Sequence, residues 1–135
     1  MGTPTLMGCA LVGHEHQRLT EGLRRWLLDR FDSVFMVADA ASLTAGASKL
    51  QPRLVVLDLS LAAGRLAPLL SELRQLAPHS RVLVLSDHDD TRVDWLILSD
   101  GADGVVHKTA LASDLSPAVD AVLAGRRFGA PEASS

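Results

Sequence analysis

The residues with the most chemical content in this chain of 135 amino acids stand where apolar runs end. Asp58 closes Leu54-Val55-Val56-Leu57, Ser86 closes Val82-Leu83-Val84-Leu85, and Lys108 follows Gly104-Val105-Val106-His107. Glu15 lies between His14 and His16, just after a first apolar stretch. Phosphoryl transfer needs a nucleophilic oxygen, a divalent cation to neutralise developing charge, and donors for the equatorial phosphoryl oxygens. Asp58 can attack, Glu15 can hold a metal ion, and Ser86 and Lys108 can donate. Taken alone, Asp58 reads equally well as a turn or helix-cap residue. Its company at other strand ends is what gives it a chemical reading.

Positioning these groups requires alternating strands and helices. Leu6 to Val12 reads as a first buried strand, and Leu19, Leu23, Trp26 and Leu27 then recur at helical spacing within about Gln17–Asp29. Val34–Ala38 is a second strand, with Asp39 or Ser42 capping a small Ala-rich helix that reaches about Leu50. The strand Leu54–Asp58 follows Pro52. Leu66, Leu69, Leu70, Leu73 and Leu76 mark the next helix, with Pro78 as its stop. After Val82–Leu85, Asp90 caps a helix whose inward residues are Val93, Leu96 and Ile97, with Trp95 partly exposed and Gly101 beyond its end. A short strand over Gly104–His107 precedes a last helix, started by Ser113 or Asp114, with Pro117 in its first turn and Gly125 at its end. Five strands alternating with five helices predict an α/β fold with a parallel sheet, right-handed crossovers and helices on both faces. The strand ends then share one edge, where such sheets bind ligands.

Composition narrows the functions. With 47% hydrophobic and 21% charged residues the chain suits one domain with a sizeable core. A net charge of -3 gives no basic surface for a phosphate backbone, so direct nucleic acid binding is not expected. Cys9 is the sole cysteine and has apolar neighbours, so no internal disulfide exists and a reducing cytoplasm is the expected location. No apolar run approaches the roughly 20 residues that cross a bilayer. A zinc site is suggested by His14-Glu15, but Arg18 stands where the metalloprotease motif needs its second histidine. His14 and His16 read as loop residues, and His88 and His107 have no better case as ligands.

From about Leu6 to Arg127 the sequence resembles the receiver domain of two-component response regulators. The resemblance rests on Leu54-Val55-Val56-Leu57-Asp58-Leu59-Ser60, Val82-Leu83-Val84-Leu85-Ser86, Gly101-Ala102-Asp103-Gly104 and Lys108, in the family's order and spacing. Thr20-Glu21-Gly22-Leu23 and Ala124-Gly125-Arg126-Arg127-Phe128 further resemble the subfamily whose receiver precedes a helix-turn-helix DNA-binding domain. That effector domain is not in this chain, which implies an excised receiver or a single-domain regulator. The expected domain is 1–127, with 128–135 as a tail or the start of a linker. The resemblance implies a flavodoxin-like sheet of order 2-1-3-4-5 and Asp58 as phosphoacceptor, taking its phosphoryl group from a sensor histidine kinase. It also implies Ser86 and Lys108 on the phosphoryl oxygens, Mg²⁺ held by Glu15, Asp58 and the Ser60 carbonyl, and a homodimer. Such a module is a signalling domain rather than an enzyme.

Four positions depart from the family pattern, one of them Thr109, which stands where many receivers have a Pro. Two acids usually follow the first strand, and here His14 replaces one of them, which weakens the case for Mg²⁺ because that ion prefers hard oxygen ligands. Asp87 stands where a small residue is usual, and it reads as a metal ligand, a partner of His14, a source of repulsion or a plain surface residue. Val105 replaces the usual aromatic switch residue. The alternative is therefore a degenerate receiver that uses the fold for dimerisation or docking, through the last two helices with Trp95, without phosphate control. A phosphatase with an aspartyl nucleophile would want a second Asp where Ser60 stands, and a flavodoxin would want a phosphate loop richer in glycine after the first strand.

Overall fold

The computed structural model describes residues 8–15 and 17–129, the side chains of 17–20 excepted. Five strands, β1 (Cys9–Gly13), β2 (Ser33–Val37), β3 (Leu54–Asp58), β4 (Arg81–Ser86) and β5 (Gly104–His107), form one parallel sheet in the order β2-β1-β3-β4-β5. Helices α1 (Gln17–Leu28), α2 (Ala40–Leu50), α3 (Leu66–Leu76), α4 (Thr91–Ser99) and α5 (Leu111–Leu123) connect and cover it. This is the flavodoxin-like architecture, with the strand-order reversal between β1 and β3. The predicted start of the first strand, Leu6 and Met7, lies outside the described residues.

Side-chain alternation along the strands assigns each residue to a face. On β3, Val55 and Leu57 join a cluster with Leu43 and Ala47 of α2, Leu69 and Leu73 of α3, and Ile97 and Leu98 of α4. Leu54 and Val56 join the opposite cluster, with Leu23 and Leu27 of α1 and Val119 and Val122 of α5. Burying each such Leu or Val contributes roughly 1.5–3 kcal/mol, and both faces of β3 are fully buried, which explains its continuous apolar run. Gly13 ends β1 because nothing larger fits. A Cβ there would lie 2.7 Å from Leu61 Cδ2 and 3.0 Å from Leu43 Cδ1.

Local signals account for most helix ends. Asp39 caps α2 by accepting from the Ser42 amide at 2.7 Å, and Asp90 caps α4 by accepting from the Arg92 amide at 2.9 Å. Two expectations are corrected. Leu96 was expected inside, yet it is 63% exposed, while Leu98 and Asp94 are buried. The helix is rotated so that Asp94, Ile97 and Leu98, spaced i, i+3 and i+4, face the sheet. Helix α5 begins at Leu111, before Ser113 or Asp114, with no side-chain cap, and Pro117 consequently lies in its second turn. Burial pushes the Cys9 thiol up, in keeping with a packing residue. Beyond α5 the chain returns to the sheet edge, where Phe128 bridges Gly104 in parallel and its carbonyl accepts from the Val105 amide at 2.9 Å.

Candidate phosphoacceptor site

Register brings the chemistry-bearing residues to one level. Gly13 pairs with Leu57, Asp58 with Leu85, and Ser86 with His107, so the four chain segments leave the sheet at its carboxyl edge together. Alternation then sorts them. His14, Asp58 and Lys108 continue the parity of Val12, Val56 and Val106, which face α1 and α5. Three residues far apart in sequence thus converge without help from flexible loops.

Asp58 is buried, at 1% exposure, and its two carboxylate oxygens have different partners. Lys108 Nζ donates to Oδ2 at 2.8 Å, and His14 Nε2 lies 3.0 Å from the same oxygen. The Ser60 amide donates to Oδ1 at 3.1 Å. Burial alone would push the carboxyl up. The Lys108 hydrogen bond, the Ser60 amide and the charges of Lys108 and His14 outweigh burial and hold it below the usual carboxylate range. Burial likewise works against the Lys108 ammonium, but the Asp58 bond and the nearby Asp87 charge raise it above the usual lysine range. Both groups are therefore ionised at neutral pH.

The remaining predicted residues lie around this pair. Ser86 is fully buried, and its hydroxyl accepts from the His88 amide at 3.0 Å. Asp87 is exposed, as a surface residue would be, and accepts from Lys108 at 3.4 Å, a pairing absent from the roles weighed for it. Glu15 is exposed and accepts from the Ser60 hydroxyl at 3.4 Å. A groove of about 490 Å³ opens beside the pocket, with Ser60, Asp87, Val93 and Leu96 among its walls, which gives Leu96 its place at the surface. His16 falls outside the described residues.

These donors do not fit a resident Mg²⁺ ion. Octahedral Mg²⁺ wants hard oxygens presented together. Asp58 Oδ2 is instead taken up by an ammonium and an imidazole, and the Ser60 carbonyl accepts from the Ala63 amide at 3.2 Å within a turn. Among the described residues no group of three or more His, Cys, Asp or Glu side chains is arranged to hold a metal ion.

Sequence reasoning missed a second pair at this edge. Asp94 is buried at 3% exposure, and both its oxygens lie 3.0 Å from His107 Nε2. The spacing of Asp94 from Ile97 and Leu98 was the available signal.

A doubly wound five-stranded sheet with a buried aspartate–lysine pair at its carboxyl edge has the architecture of a signalling receiver domain. The family model described as the response regulator receiver domain matches residues 11–120, and the chain belongs to that family. In structure it is similar to a two-component response regulator of the LuxR family from Aurantimonas sp. SI85-9A1. That protein is 27% identical, with a TM-score of 0.81 over 93% of this chain and 91% of the other. It also shares its fold with the signal receiver domain of the response regulator NarL from Mycobacterium tuberculosis, at 24% identity and a TM-score of 0.78 over 90% and 100% of the two chains. The isolated receiver domain of RcsB from Salmonella enterica serovar Typhimurium, in the apo form, is 23% identical, with a TM-score of 0.73 over 93% of each chain. No curated protein matches the sequence. Among the described residues no helix is long and apolar enough to cross a membrane.

Proposed function

We propose that this receiver accepts a phosphoryl group on Asp58 from a phosphohistidine of a sensor kinase, and that it does so without a resident Mg²⁺ ion. The observation that carries the reading is the buried Asp58 carboxylate held ionised by Lys108 at 2.8 Å. An ionised carboxylate is the competent nucleophile. As the Asp58 O–P bond forms, the P–N bond of the donor breaks, and the departing imidazole takes up a proton. Lys108 is placed to move from the carboxylate to a phosphoryl oxygen, and the Ser86 hydroxyl to donate to another once it turns from its present partner. The His14 imidazole supplies polarity beside the Asp58 carboxylate. The domain is read as residues 1–127, with a second copy as partner after phosphorylation.

The degenerate reading has its own support. His14 Nε2 and Lys108 Nζ both crowd Asp58 Oδ2, and the Asp87 carboxylate stands at the mouth, where it repels an incoming phosphate. Incubation with acetyl phosphate followed by intact mass analysis separates the two readings. Acceptance predicts a single phosphoryl adduct that disappears in Asp58→Asn. The absence of an Asp58-dependent adduct, with acetyl phosphate and with a phosphorylated kinase alike, leaves the docking module as the function.

A further inference from the structure

We propose that the His107–Asp94 pair is a pH-sensitive latch, which holds α4 against β5 while the imidazole is protonated and frees it when the proton leaves. Among the described residues Asp58 and Asp94 are the two buried carboxylates, and Asp94 has no lysine or arginine as partner. A buried carboxylate needs a compensating charge, and here His107 is positioned to provide it. Its Nε2 lies 3.0 Å from both Asp94 oxygens, while Nδ1 lies 3.8 Å from Asp89 Oδ1. An imidazole with a carboxylate at each ring nitrogen is matched to the cation, the form in which both nitrogens donate.

The charged groups facing His107 are known from each packed element. Asp94 comes from α4, Asp89 from the loop before it, and Asp114 from α5 across a shared cavity of about 320 Å³. On its own chain the neighbour is Lys108, turned to the opposite face toward Asp58 and Asp87. Its β4 partner is Ser86, which is uncharged. Three carboxylates and no further cation thus surround a side chain whose charge ordinarily changes between about pH 5 and 8. Loss of the proton leaves Asp94 as an uncompensated buried anion. The helix then relieves it by turning Asp94 toward water, and the cavity between α4, β5 and Phe128 gives room for that shift.

The latch does not depend on phosphorylation of Asp58. Its test is amide hydrogen exchange of Ile97 and Leu98 on α4, corrected for intrinsic rates, from about pH 5 to 9, alongside the His107 ring resonance followed by NMR. The latch predicts a roughly tenfold rise in opening across this range, in step with the change of the His107 ring resonance. His107→Gln retains an amide donor but cannot titrate, and Asp94→Asn removes the buried charge, so both profiles should be flat. A flat profile in the wild type overturns the proposal, as does an unchanged profile in His107→Gln. A His107 resonance that does not titrate over this range does so as well.

Discussion

At the carboxyl edge of the sheet two histidine–aspartate pairs balance their charges in opposite ways. In the Asp58 pocket one carboxylate faces two basic groups, Lys108 at 2.8 Å and His14 at 3.0 Å. On the α4 side one imidazole faces two carboxylates, Asp94 at 3.0 Å and Asp89 at 3.8 Å. The first pair is sealed, with Asp58 and His14 side chains each 1% exposed, whereas the His107 side chain is 28% exposed. Consecutive residues on one strand, His107 and Lys108, serve the two sites because alternation sends them to opposite faces. In the first site two basic side chains converge on one carboxylate. In the second, two carboxylates converge on one imidazole.

Removing the basic partner from each pair breaks the comparison most strongly. Lys108→Met leaves the sealed Asp58 without its ammonium and should lower stability by about 3 kcal/mol in urea unfolding, with most of the loss recovered in the double variant Asp58→Asn/Lys108→Met. His107→Val strands Asp94 beside a partly open surface, so the expected loss is smaller, about 2 kcal/mol.

Acidity sharpens the contrast. Asp58 is held low in the folded state, so its contribution is complete above the ordinary carboxylate range and lost as pH falls through the lower folded value. Lys108 is held high, so its contribution is complete below the ordinary lysine range and lost only as pH rises through the higher folded value. The stability difference between wild type and the double variant Asp58→Asn/Lys108→Met should therefore change by less than about 0.5 kcal/mol from roughly pH 6 to 9. A steep slope across that window would show that the pocket is not locked. The smallest effect belongs to the solvent face of α4, where Leu96→Ser should alter stability by less than about 0.5 kcal/mol.

Much of this arrangement was legible in the sequence because buried parallel strands leave continuous apolar runs. The bounds Leu54–Asp58 and Gly104–His107 are those read from the residues, and the strand order followed from the family resemblance. Helix faces were harder. Apolar counting places Leu96 inside, but the rotation of α4 is set by a polar contact, Asp94 to His107, whose partners lie on different elements. The start of α5 was read too late because a short 3-10 turn over Lys108–Ala110 feeds directly into it, without the side-chain cap that Ser113 or Asp114 suggested. Asp87 was weighed against His14 and the metal, while Lys108 reaches it at 3.4 Å, a distance that sequence spacing does not encode. The edge pairing of Phe128 left no periodic trace, being a single bridge.

The central claim is that Asp58 is the acceptor and that basic side chains, rather than a divalent cation, prepare it. Measuring phosphoryl incorporation from acetyl phosphate by intact mass across a Mg²⁺ titration, in wild type and in His14→Asp, tests it directly. The expected result is an Asp58-dependent adduct whose yield in the wild type does not respond to Mg²⁺, and a Mg²⁺ requirement that appears in His14→Asp. A saturable Mg²⁺ requirement in the wild type, or no adduct under any condition, would contradict it.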